Sequence, residues 1–239
     1  MKTTKKALLF TFCAVLLVVA SVLGTMAYLT SSDTVTNTFT VGKVNIELDE
    51  AKVNLDGTYA TDHGNRVAEN EYHLIPGHTY FKDPTVTVLE DSEKSYVRMI
   101  ATITYNESAD SVFGTVNSPE SIANWLDIKT NDWKITGEPQ TTKEDGKITR
   151  SYEFRYKNVL DKVTDENGLS LSPLFTKITV PGEITNDQLK ELADLKIDVE
   201  AHAIQADGFQ SKDGKTAEQV AWEAFDQQVN NSQGATENH

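Results

Sequence analysis

Cysteine is almost absent from this chain of 239 residues, and its one example, Cys13, lies in an apolar stretch near the N-terminus. The chain beyond that stretch therefore has no thiol, no disulfide and no cysteine ligand for a metal ion. Proline is scarce too, with six residues, and neither a proline- or glycine-rich linker nor an internal repeat divides the sequence. The length suits one large β domain as well as two small ones.

Positive charge is also limited, because 22 Lys and Arg residues face 36 Asp and Glu residues, for a formal net charge of −14. So acidic a surface favours solubility and repels nucleic acid and anionic membranes. Calcium or a basic partner remains an alternative.

Long apolar runs are missing except for one, from Ala7 to Leu23, which follows three lysines and precedes Gly24-Thr25-Met26-Ala27. A basic start, an apolar stretch and a small-x-small site predict a secretory signal peptide over residues 1–27. Cleavage between Ala27 and Tyr28 removes three lysines and makes the net charge three units more negative. The competing interpretation is a permanent membrane anchor, since the run is near the lower limit of about 17–25 residues for a span.

Alternating segments rich in Val, Ile, Thr, Phe and Tyr are typical of β-strands. They predict strands at Thr34–Val41, Val44–Leu48, Tyr80–Leu89, Tyr96–Tyr105, Trp133–Thr136, Lys147–Tyr156, Phe175–Val180 and Leu195–Ile204. In the last of these, odd-numbered residues from Leu195 to Ala203 are expected to face inward. The pattern predicts an all-β fold, a jelly roll or two-sheet β-sandwich with a few short peripheral helices.

Helix signals are confined to connections and to the C-terminal part. They predict short helices at Ser118–Trp125 and Thr185–Ala193, and a longer one at Thr216–Val229 that starts with a Thr-x-x-Gln capping box. The predicted domain covers residues 43–229, and residues 230–239 are expected to be disordered. The polar loop Asp49–Tyr72 has a length that is typical of functional or mobile loops.

Three short stretches resemble exported proteins of the TasA/camelysin family. They are Ala27-Tyr28-Leu29-Thr30-Ser31-Ser32-Asp33 after the signal, the segment Asn37–Val44, and Ile75-Pro76-Gly77-His78-Thr79-Tyr80-Phe81-Lys82, with His78 at the family's acid position. Leu195–Phe209 is similar to the family's closing strand. Residues 106–174 align only by role, so the resemblance covers the N-terminal part and the last strand.

The resemblance implies a jelly-roll protein that a Gram-positive bacterium secretes after cleavage by a SipW-type signal peptidase. It also implies a homo-oligomeric filament, or fibres with related subunits, in the cell-surface or biofilm matrix. In such fibres an N-terminal strand completes a sheet of the next subunit. The corresponding donor segment here is 28–42, with Val35, Phe39 and Val41 as the assembly residues. The alternative is that this strand pairs within its own domain.

Enzymatic alternatives have weak support in the sequence. A camelysin-like metalloendopeptidase needs a motif such as His-Glu-x-x-His, whereas the five histidines His63, His73, His78, His202 and His239 are scattered. No Gly-x-Ser-x-Gly motif and no phosphate-binding glycine loop is present. We therefore predict a protein that is not an enzyme and has no catalytic, metal or cofactor residues.

Two further groups of residues leave a ligand-binding module or adhesin as another alternative. The acidic groups Asp49, Glu50, Asp56, Asp62 and Asp161, Asp165, Glu166 lack the spacing of a calcium loop, which favours a solvated acidic face. Trp125, Trp133 and Trp222 are of the type that stacks on sugars, but in β-rich proteins such residues more often fill cores.

Overall fold

The computed structural model describes residues 44–60, 64–112 and 125–236, with side chains to residue 229. The predicted signal peptide and the predicted donor strand, with Val35, Phe39 and Val41, lie outside the described residues. So do Asp62, His63, His239 and most of the helix predicted from Ser118.

The structure is mostly β, with 41% strand against 15% helix, which confirms the predicted all-β class. The described part of the chain contains ten strands, in chain order β1 (Ile46–Ala51), β2 (Arg66–Val67), β3 (Thr79–Phe81), β4 (Thr85–Val88), β5 (Ser95–Asn106), β6 (Trp133–Glu144), β7 (Lys147–Tyr156), β8 (Leu169–Ser170), β9 (Lys177–Thr179) and β10 (Lys196–Gln205).

The strands form three antiparallel sheets, with orders β2-β1-β4-β8, β10-β5-β7-β6 and β3-β9. The most apolar strand, β5, lies between β10 and β7, as a central strand should. Three sheets and few helices are consistent with an all-β sandwich. The jelly-roll connectivity stays a prediction.

One hydrophobic core joins side chains from all three sheets. Val86 and Val88 of β4, Met99 of β5, Phe154 of β7 and Ile178 of β9 belong to one buried cluster. Along β5 every second residue from Val97 to Tyr105 is apolar and directs its side chain into this cluster, because successive side chains of a strand point to opposite faces.

Two strand predictions were wrong in their extent. The predicted strand Tyr80–Leu89 is split into β3 and β4, since Pro84 lacks the N–H that a continuous ladder requires and Lys82 is buried in an ion pair. Strand β6 continues to Glu144, past a register shift between Thr136 and Gln140, because a bulge absorbs Gly137 and Pro139 without ending the pairing with β7.

The helices within the described residues are a 3₁₀ helix (Glu107–Val112), α1 (Asn186–Glu191) and α2 (Ala217–Thr236). Helix α2 continues beyond Val229, where the sequence predicts disorder to begin, because residues 230–236 are polar but contain no proline to stop a helix. Its Trp222 and Ala221 form a second small core with Ile204 of β10. Over the described part of the chain, no helix has the length and apolarity that crossing a membrane requires.

Candidate functional site: a groove between two sheet edges

A large groove opens between β1 and β10, which belong to different sheets. Its cavity volume is about 1130 Å³. Tyr80, Ile178 and Leu192 form an apolar floor and are themselves buried in the core.

Strand β1 forms one wall of the groove. Ile46 and Leu48 of β1 pair with Val88 and Val86 of β4, so all four side chains point to the same face of the sheet. The two valines are 0% exposed, whereas Ile46 and Leu48 are only half-buried. On the side of β1 away from β4, the described strands pair only with Glu50 and Ala51, so the edge from Ile46 to Asp49 is left without a strand partner.

Strand β10 forms the other wall and repeats this pattern. It pairs with β5 along its whole length, and no described strand pairs with its other side. Ile197 and Val199 lie opposite Ile103 and Ala101, which are buried, but they are only half-buried themselves. The prediction of which side chains of β10 face inward is therefore correct, but the rest of the described fold covers these side chains only in part.

The groove is closed at one end by α1 and the segment before β3. Leu189 of α1, Leu195 and Leu74 are half-buried apolar residues that line this end. The sequence positions α1 through Thr185, whose hydroxyl accepts from the Gln188 backbone while the Gln188 side chain accepts from the Thr185 backbone.

A buried polar cluster lies in the wall beside the apolar floor. Lys82 forms an ion pair with Glu50, and the Asn70 amide donates to the other oxygen of the same carboxylate at 2.8 Å. The side chains of Glu50 and Lys82 are 4% and 10% exposed. Glu50 is therefore not part of a solvated acidic face, and the sequence prediction for this residue was wrong because its partner comes from a distant segment.

Other carboxylates of the loop Asp49–Tyr72 stabilise that loop through hydrogen bonds and ion pairs. Asp49 accepts from Arg66 at 2.5 Å, and Arg66 also reaches Asp83 at 3.2 Å. Hydrogen bonds from the side chain and backbone of Thr58 lower the pKa of Asp56. The loop from Asp49 is thus organised by local polar contacts, and these fix the rim of the groove.

The remaining residues that the sequence singled out are dispersed. His73 is exposed, His78 donates to the Asp56 carbonyl at 2.7 Å, and His202 lies between Arg98 and Glu200. No group of three or more His, Cys, Asp or Glu residues suited to a metal ion occurs where the structure is described.

All three tryptophans are buried rather than aligned on a surface. Trp125 is 5% exposed, and Trp133 and Trp222 are each 1% exposed, which matches the core interpretation and leaves no aromatic row for stacking on a sugar. Trp133 also donates its indole N–H to the Ser172 carbonyl at 3.0 Å.

The groove itself was not predicted from the sequence. Its only sequence signal is that β1 and β10 have apolar alternation on one face, which is typical of any strand packed on a core. Which strands become edges depends on the pairing of distant segments. Comparison with known proteins adds nothing to this picture, since no family profile, no curated protein and no solved structure matches the chain.

Proposed function

We propose that this protein is a secreted structural protein of the cell surface or biofilm matrix, which assembles into filaments by donor-strand complementation. The observation that carries the proposal is the groove along β1 and β10, where the outer edge of β10 and the edge of β1 from Ile46 to Asp49 have no partner among the described strands. An edge strand presents a row of free N–H and C=O groups, and a strand from another molecule is the ligand that satisfies them.

The apolar side chains of the groove favour a strand over a small ligand. Leu48, Ile197 and Val199 line the groove and are half-buried where their cross-strand partners are buried. An inserted strand with apolar residues at every second position covers these side chains. Each Phe or Val that becomes buried contributes roughly 1.5–3 kcal/mol.

The segment Tyr28–Val41 is the proposed occupant because it has this alternation, with Val35, Phe39 and Val41 on one face, and no proline. After cleavage at Ala27 the segment is released from the membrane and enters the groove of the next molecule. Donor and acceptor are different surfaces, so the contact is head-to-tail and builds an open filament.

A cross-linking experiment tests the proposal directly, because the chain after the signal peptide has no cysteine of its own. One preparation carries Phe39→Cys and a second carries Val199→Cys. Mixed and mildly oxidised, the two are expected to form a disulfide-linked heterodimer, since the donor Phe39 side chain lies against the inward face of β10. Electron microscopy of the unsubstituted mature protein is expected to show filaments.

The matched control replaces Val199→Cys by Glu200→Cys, the next residue, whose side chain is exposed and does not belong to the groove lining, and is expected to give little cross-link. If Phe39→Cys and Val199→Cys link only when both are on one chain, the strand pairs within its own domain and the filament proposal fails. Equal linking to residues 199 and 200 also contradicts it, because random collision then accounts for the product.

A further inference from the structure

A lysine, an asparagine and a carboxylate meet in the groove wall in an arrangement suited to amide chemistry. We propose that Lys82 and Asn70 form an intramolecular isopeptide bond, with Glu50 as the catalytic residue that relays the protons. The inference is independent of filament formation, since it concerns three side chains of one molecule.

Glu50 holds both reacting groups at once. One oxygen of its carboxylate contacts the Lys82 ammonium, and the other accepts from the Asn70 amide nitrogen at 2.8 Å. Amine and amide are therefore neighbours on the two oxygens of one carboxylate. Such fixed proximity replaces the improbable encounter of two dilute groups. In well-oriented intramolecular reactions it raises the reaction rate by several powers of ten.

Burial prepares the lysine to act as a nucleophile. An ammonium and a carboxylate that are both withdrawn from water lose most of their hydration, and the side chains of Lys82 and Glu50 are only 10% and 4% exposed. Tyr72 covers the site, with its ring centroid 6.0 Å from the Lys82 nitrogen. Burial, followed by the charges of Glu50 and Asp83, raises the pKa of Tyr72, as a poorly hydrated site requires.

The asparagine is held ready for attack at its side-chain carbon. Its Oδ1 accepts from the Val53 backbone N–H at 3.0 Å, and its Nδ2 also donates to the Ala51 carbonyl at 3.0 Å. The Val53 N–H polarises the amide carbonyl and stabilises the negative charge that Oδ1 acquires in the tetrahedral intermediate. The Glu50 oxygen on Nδ2 lies where the leaving nitrogen must receive protons.

The step balances without a cofactor or an oxidant. The lone pair of Lys82 Nζ forms a bond to Asn70 Cγ, and the bond from Cγ to Nδ2 breaks. Starting from the ammonium form, Nζ loses two protons, and Nδ2 gains two and leaves as an ammonium ion. Glu50 carries both protons and ends as the carboxylate with which it began.

The product ties the segment after β2 to the connection between β3 and β4, beside the groove. In a chain that has no cysteine outside Cys13, such a bond supplies the covalent closure that a disulfide provides elsewhere. It fixes the wall of the groove, because Glu50 follows the open edge of β1 directly.

Peptide mapping of the purified full-length chain tests the proposal. Trypsin requires a free lysine amine, so it cuts an unlinked chain after Arg66 and Lys82 and releases peptide 67–82. In a linked chain the cut after Lys82 is blocked, and the expected product is peptide 67–94, lighter by one ammonia. A second protease that cuts after Tyr72 is expected to leave the two pieces joined.

The control variant Glu50→Gln keeps the shape of the side chain but cannot take up protons, and it is expected to release peptide 67–82 at full mass. Lys82→Arg keeps the tryptic site but removes the nucleophile. Loss of ammonia at Asn167-Gly168, a sequence prone to cyclisation, is recognised because it falls in another peptide.

Peptide 67–82 at full mass from the unsubstituted protein overturns the isopeptide bond. A linked peptide that persists in Glu50→Gln overturns the role of Glu50. The expected pattern is a linked peptide in the original chain and unlinked peptides in both variants. Only a bond from Lys82 that requires Glu50 accounts for it.

Discussion

Two acidic residues that are adjacent in the chain, Asp49 and Glu50, differ in burial and in ion-pair partner. Asp49 remains on the rim of the groove with Arg66, whereas Glu50, the next residue, is buried and paired with Lys82. Alternation along β1 directs the two carboxylates to opposite faces. The sequence alone does not predict which of the two is buried, because burial depends on the distant segments that pack against each face of β1.

At Gly57 the backbone itself decides which residue fits. Its φ is +74°, and a Cβ built there meets the Tyr80 Cα at 2.7 Å. Gly57→Ala is expected to destabilise the protein by about 3 kcal/mol, from about 1 kcal/mol for the left-handed backbone and about 2 kcal/mol for overpacking. Denaturant unfolding measures the loss.

Gly214 provides the matched control, because its φ is +79° and a Cβ there meets nothing within 4 Å. Gly214→Ala is expected to lose only the backbone contribution of about 1 kcal/mol. Equal losses at the two positions contradict the proposed close approach of Gly57 to Tyr80.

Elements were predicted well from the sequence where a local pattern decides them. Strand β7 begins and ends at the predicted residues, and the capping box predicted at Thr216 is confirmed by the reciprocal hydrogen bonds between Thr216 and Gln219, because alternation and capping involve neighbours in the chain. The two-residue strands β2 and β8 carry no pattern of their own and were missed. The groove was missed for the same reason, since an unpaired edge is a property of how β1 and β10 are placed among other strands.

Asp127 connects two elements that are distant in sequence. Its carboxylate accepts from the backbone N–H groups of Thr176 and Lys177 at 2.7 and 2.9 Å, at the start of β9, and from Lys129 at 2.6 Å. Burial acts to raise the pKa of Asp127, but these hydrogen bonds outweigh it and hold the pKa below 3.8.

The sign of the pH dependence follows from this lowered pKa. Between the folded pKa and 3.8 the unfolded chain binds more protons, so Asp127 stabilises the fold above 3.8 and loses that effect as the pH falls through the folded pKa. Asp127→Asn is expected to cost roughly 1 kcal/mol at pH 7 and to make stability fall less steeply below pH 3.8.

Denaturant titrations at several pH values compare Asp127→Asn with Asp187→Asn, whose side chain is 91% exposed. The latter is expected to leave both stability and its pH profile unchanged. An acid limb as steep in Asp127→Asn as in the original chain rules out this role for Asp127.

The whole molecule combines an apolar groove with a strongly acidic surface. The net charge of the chain is −14, and removal of the predicted signal peptide with its three lysines makes it more negative. In the proposed filament, each added subunit brings like charge towards like charge, and the repulsion opposes the apolar contact in the groove. The assembly is therefore expected to depend on salt in a definite direction.

Filament growth is expected to become faster as the ionic strength rises from about 0.01 M to about 0.15 M, because the Debye length falls from about 30 Å to about 8 Å. Light scattering during assembly of the mature protein measures the rate. Val199→Arg, which places a charge in the groove, is expected to stay unassembled at both salt concentrations. Growth that slows with salt contradicts the balance described here and indicates that charge attraction drives the contact.

The two walls of the groove come from opposite ends of the described chain, since β1 begins at Ile46 and β10 ends at Gln205. Strand β10 pairs with β5, which lies about a hundred residues before it in the chain. This wall of the groove is therefore completed only after β10 has been synthesised. A nascent or truncated chain that lacks β10 has no groove to offer. In the proposed filament, strand capture is therefore restricted to subunits whose translation has passed Gln205, and incomplete chains are left out of the assembly.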